Sequence, residues 1–160
     1  FMSLLFCGVF LLSLACLWLT VVADAQQDEV NVAREKWNLA TQDVTPNNYS
    51  CLYGPTRNGV TDVRRVVEVR DNVVTSTEDP FLYGEDTPGD LADYPTVEGL
   101  FDVIQSAIED GAPVIRVEYD EDYGYPTIIS IQDTDDEATL EILIDSMTLY
   151  SVSQMQLDMY

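Results

Sequence analysis

The 160-residue chain contains no histidine. That absence removes Ser-His-Asp and Cys-His catalysis and the usual zinc ligand sets. Positive charge is scarce as well: 7 lysines and arginines stand against 29 acids, for a formal net charge of −22 at pH 7. So negative a chain repels phosphate backbones, so nucleic acid is not expected as a partner, whereas a protein partner or a basic or cationic ligand is admitted. Cysteine is nearly missing. Cys7 and Cys16 lie in the first apolar stretch and Cys51 stands alone after it, so the body of the chain closes no disulfide within itself. Neither GxGxxG nor GxxxxGK[ST] occurs, and nucleotide phosphates find no glycine-rich cradle. Lys36 sits beside Glu35 in a charged segment, which suits a solvated ion pair better than a nucleophile. No carboxylate pair stands out for glycoside hydrolysis, and no enzymatic activity is expected.

Charge is also absent from residues 1 to 23, which are dominated by Leu, Val, Phe and Ala. Roughly 18 or more uncharged apolar residues can span a bilayer. The small residues of Ala23-Asp24-Ala25, just before Gln26, instead fit a signal-peptidase site. Two readings therefore stand for residues 1–25, a cleaved signal peptide or a membrane anchor, with a single acidic domain over 26–160. Either places the domain outside the cytoplasm, secreted or tethered, and any membrane contact runs through residues 1–23.

The remaining charge is unevenly laid out. From Gln26 to Arg70 six acids balance six bases, whereas from Asp71 to Tyr160 there are 22 acids and Arg116 alone as a base. Within the neutral half, Tyr49–Tyr53 and Val60–Arg70 read as a hairpin, turned by Gly54-Pro55 and Asn58-Gly59, that carries Arg57, Arg64, Arg65 and Arg70. A basic hairpin on an acidic body suits head-to-tail docking on a neighbour, or pairing with the domain's own acids.

Apolar periodicity supplies the rest. Val30, Ala33, Trp37 and Ala40 predict an amphipathic helix over Asp28–Thr41, ended by Pro46-Asn47-Asn48. Val97, Leu100, Phe101, Ile104 and Ile108 predict a second over Thr96–Asp110, with Thr96 as its cap and Gly111 as its stop. Val73–Thr75, Pro113–Tyr119 and Thr127–Gln132 read as strands. Thr139–Tyr150 fits either period and is assigned as a strand because Ile-rich runs favour sheet. The expected fold is α+β: an antiparallel sheet of five to six strands with two amphipathic helices on one face, preceded by an N-terminal hydrophobic helix. Thr77–Pro95, rich in proline and acids, reads as a long loop whose Phe81, Tyr83 and Tyr94 are candidate contact residues.

Several short motifs occur together: Trp37, Asn48-Tyr49-Ser50-Cys51, Thr96-Val97-Glu98-Gly99-Leu100-Phe101, Tyr119-Asp120 and Gly124-Tyr125-Pro126-Thr127, with acids at Asp133 to Glu137. In this combination the chain resembles the domain of unknown function 6174 family from about Val30 to Leu149. The resemblance implies a small exported α+β protein and no particular activity. A single Cys51, where paired cysteines are common in that family, departs from the pattern and speaks against a redox role.

Asp133, Asp135 and Glu137 alternate as oxygen ligands of Ca²⁺ would, and calcium is the one cofactor the sequence admits. They form no EF-hand loop, since Ala138 stands where glycine and Ile144 where glutamate is needed. The chain is thus expected to be an exported binding or scaffold module. The alternatives are a membrane-anchored accessory subunit of a larger complex and a calcium-binding acidic domain.

Overall fold

The computed structural model describes residues 24–42, 48–81, 90–132 and 139–150. Helix α1, residues 24–41, starts four residues before the expected start at Asp28. Side-chain anchors hold that first turn: Gln26 donates to the Ile115 carbonyl and Gln27 exchanges hydrogen bonds with Gln105. Strands β1 (Tyr49–Arg57), β2 (Val60–Thr61), β3 (Arg65–Arg70) and β4 (Val73–Glu78) follow. A 3-10 turn at Leu91–Asp93 precedes α2 (Val97–Glu109), and β5 (Val114–Tyr119), β6 (Pro126–Gln132) and β7 (Thr139–Leu149) complete the order. The apolar segment expected as an N-terminal helix lies in residues 1–23, outside the described residues. Among the described residues no helix is long and apolar enough to cross a membrane.

The strands form one seven-stranded antiparallel sheet in the order β4-β3-β1-β7-β6-β5, with β2 paired to β1 off that path. The count exceeds the expected five to six because the run Val60–Arg70 divides into β2 and β3. Gly54-Pro55 is also no turn. Pro55 lies inside β1 opposite Ile142, and its carbonyl accepts from Asp62 N–H in the gap between β2 and β3. In a strand the N–H and C=O of one residue point the same way, so the donor that proline lacks faces a place where the ladder is already broken. The hairpin turns on Asn58-Gly59 alone, with φ of 52° and 74°, and Asp71-Asn72 turns β3 into β4 with φ of 50° and 61°. Positive φ at both central residues matches the twist of the flanking strands.

β7 is a strand throughout. Ile142 and Ile144 are buried, with Leu140 half-buried beside them, while Glu141 and Asp145 are exposed on the other face. Ser146, at φ 54°, lies in the bulge that shifts the register between Ser50 and Leu52 of β1 and returns Met147 and Leu149 to the core side. Both helices pack on that side, where Val30, Ala33 and Trp37 of α1 and Leu100, Phe101 and Ile104 of α2 meet Tyr49, Cys51, Val67, Val69 and Ile129 of the sheet. Each large apolar side chain so buried contributes about 1.5–3 kcal/mol. Thr96 Oγ1 accepts from Gly99 N–H to start α2, and Gly111 at φ 69° ends it as Ala112 N–H reaches the Ala107 carbonyl.

Candidate functional site

The β5–β6 turn is built on α1. Asp120 Oδ1 accepts from the N–H groups of Asp122 and Tyr123, and Gly124 N–H closes on the Asp120 carbonyl. Gly124 has φ 80°, and a Cβ there would stand 2.5 Å from the Ala33 carbonyl oxygen and 2.9 Å from Lys36 Cβ. The turn backbone therefore lies directly on the helix. Tyr125 follows into the core, where its ring meets Trp37 edge-on at 6.1 Å, and Trp37 meets Tyr49 edge-on at 5.5 Å. The Tyr49 hydroxyl in turn accepts from Val97 N–H at 2.7 Å, so a strand tyrosine satisfies one of the free donors at the start of α2.

Alongside this junction runs a cleft of about 440 Å³. Val32, Ala33, Tyr119 and Gly124 line it with Asp28, Glu29, Asp120 and Glu121 around them, and the Lys36 ammonium donates to the Glu121 carbonyl. The Tyr119 ring stacks on Phe101 at 6.3 Å, and burial together with the neighbouring Glu29 raises its hydroxyl to about 12. A second cleft, of about 820 Å³, lies between α2 and the ends of β6 and β7, with Val103, Ala107, Ile131 and Leu140 in its wall and Arg57 beside them.

The four hairpin arginines do not share one environment. Arg70 pairs with Glu68 and lies over the Tyr150 ring at 4.4 Å, and the Tyr150 hydroxyl donates to Ser50. Arg65, opposite Tyr53, is half-buried and engaged. Arg64 is exposed and lies across Gly54, where a Cβ would meet its Cγ at 3.0 Å. Arg57 is exposed at the end of β1. Among the described residues neither Arg64 nor Arg57 has an ion-pair partner.

A model described as a family of unknown function, DUF6174, matches residues 29–154. The chain belongs to the DUF6174 family. No curated protein matches the chain, and no solved structure does. Of the residues that carried the DUF6174 resemblance, Trp37, Tyr49, Thr96, Gly124 and Tyr125 form the junction of α1, α2 and the β5–β6 turn described above, and the acids at Asp133 to Glu137 lie outside the described residues.

The perturbed titrating groups of this DUF6174 member are held by the same core. Burial pushes the Cys51 thiol and the Tyr53 hydroxyl up to about 12. It also raises Tyr49, despite the opposing Val97 hydrogen bond, and takes Tyr125 up to about 12 with Asp120 adding to the shift. Glu98 is raised by burial against the pull of Arg34, which lies 3.4 Å from it and also reaches Asp102 at 2.5 Å. Of the candidate contact residues, Phe81 is 73% exposed, whereas Tyr94 packs edge-on against Tyr53 at 5.5 Å. Tyr83 and the calcium candidates Asp133, Asp135 and Glu137 lie outside the described residues. Among the described residues no group of three acids or cysteines is placed to hold a metal ion. The α1 cleft was not legible beforehand, because Val32 and Tyr119 are 87 positions apart in sequence and line one cleft only once α1 packs on the β5–β6 hairpin.

Proposed function

We propose that this DUF6174 chain is an exported, non-enzymatic binding or scaffold module. One observation carries the reading: the helices cover a single face of the sheet, and the opposite face keeps apolar side chains at the surface. By register, Val66 and Leu52 stand side by side there, Gly54 pairs with Leu143, and Leu143 pairs with Ile128. All four apolar side chains are half-buried, and among the described residues no helix or strand packs on them. Arg64 and the pair Arg116–Glu118 border this patch.

The sheet edges are less inviting. On β5 the Ile115 carbonyl already accepts from Gln26, and β4 carries an extra residue, Thr75, where the ladder shifts. Capped carbonyls and bulges discourage a partner strand from adding to an edge, which leaves the open face as the broader contact surface.

The test is chemical cross-linking in the native source, comparing the chain with its Leu143→Asp variant. Loss of a discrete cross-linked partner in the folded variant supports the reading, and identical cross-links count against it. The uncharged stretch 1–23 favours a second reading, a membrane-anchored accessory subunit. Mass spectrometry of the mature N-terminal peptide separates the two: a start at Gln26 supports export with cleavage, and retention of residues 1–23 supports the anchor.

A further inference from the structure

We infer that the cleft between α1 and the β5–β6 turn receives a basic side chain, an arginine or lysine, from an exposed basic segment of a protein partner. This deepens the binding-module reading and rests on it, but it uses a surface separate from the open sheet face. The cleft combines two properties that a long cationic side chain needs. Its floor is apolar: Val32 is 66% exposed and Tyr119 offers a ring already fixed by stacking on Phe101. Its rim is acidic, with Asp28 and Glu29 on α1 and Asp120 and Glu121 on the turn. Four acids against Lys36 leave this rim with a net charge of three negatives. Arginine and lysine bury aliphatic stems while keeping the charged head near water, so stem and head fit floor and rim respectively.

The chain supplies an internal example of such a fit. Lys36 lays its Cβ and Cγ along the Gly124 backbone and carries its ammonium to the Glu121 carbonyl. Asp120 Oδ1 is engaged by the turn, whereas Asp28 and Glu29 make no ion pair among the described residues and are exposed. Charge complementarity thus selects a basic occupant over an acidic or neutral one.

The experiment uses the full chain and a capped peptide, acetyl-Gly-Arg-Leu-Arg-Gly-amide, with its Gln-for-Arg counterpart as control, read by isothermal titration. The arginine peptide is expected to bind saturably and to weaken with added salt, and the glutamine peptide is expected not to bind. Glu29→Gln and Val32→Ser, both at exposed positions, are each expected to weaken binding by about two- to fivefold, the range of a single surface contact. Glu141→Gln, an exposed acid on β7, controls for diffuse attraction and is expected to leave affinity unchanged. No saturable binding at millimolar peptide, equal binding of both peptides, or equal losses in the cleft and control variants would overturn the inference. A native partner still lost on Leu143→Asp in that case would leave the binding-module reading standing.

Discussion

Replacing Gly124 by alanine tests the junction that shapes both the core and the cleft. Two costs are separable there. The first is backbone: at φ 80° a non-glycine residue sits in the left-handed region, for about 1–2 kcal/mol. The second is contact, because the added Cβ would lie 2.5 Å from a backbone oxygen of α1, and neither backbone is a flexible side-chain end that gives way cheaply. Relieving such overpacking typically costs about 1–3 kcal/mol. Their sum is about 2–5 kcal/mol, a large share of the roughly 5–15 kcal/mol by which small domains are stable. Gly59 and Gly111 supply the internal control, since both have positive φ, 74° and 69°, with nothing within 4 Å of an added Cβ. Urea unfolding followed by tryptophan fluorescence is expected to show Gly59→Ala and Gly111→Ala losing only the backbone cost, with Gly124→Ala losing about 1–3 kcal/mol more. Equal losses at all three positions would refute the close approach of turn and helix.

Other consequences follow from the same geometry. Tyr49→Phe keeps the ring against Trp37 but strands the buried Val97 N–H, and is expected to cost about 1–3 kcal/mol by chemical denaturation. Cys51 keeps its proton in the folded state up to about 12 against an ordinary 9.0, so the unfolded chain ionises first. Its contribution is therefore complete below pH 9 and falls as pH rises from there towards 12, by about 1.4 kcal/mol per pH unit at most. Denaturation midpoints measured between those limits should decline, and Cys51→Ala should flatten the first part of that decline, before the tyrosines begin to ionise. Gly54→Ala meets only the flexible Arg64 side chain, so its cost is expected below that of Gly124→Ala in the same assay.

Most of the fold was legible because its signals were local. The face of α2, its Thr96 cap and its Gly111 stop all lie within one stretch of sequence, and where the periodicity of Thr139–Tyr150 fitted helix and strand alike, its Ile-rich composition pointed to the strand that β7 forms. What failed depended on neighbours distant in sequence. Gly54-Pro55 carries a local turn signal, but its place in β1 is set by pairing with Ile142 and by the break between β2 and β3. The early start of α1 likewise depends on Gln26 reaching Ile115. At the surface, sequence grouped four arginines as one patch, whereas Arg70 is engaged by Glu68 and Tyr150, Arg65 is engaged as well, and among the described residues neither Arg64 nor Arg57 has an ion-pair partner. The acid-rimmed cleft was hidden for a similar reason, since an apolar side chain on an exposed helical face gains meaning only once Tyr119 is placed beside it.

The most direct test of a binding module that takes a basic segment is chemical-shift mapping of the ¹⁵N-labelled chain titrated with the arginine peptide. Shifts concentrated at Val32, Lys36, Tyr119 and Gly124 are the predicted result. Shifts scattered over the acidic surface, or confined to Leu52, Ile128 and Leu143 on the open sheet face, would contradict it.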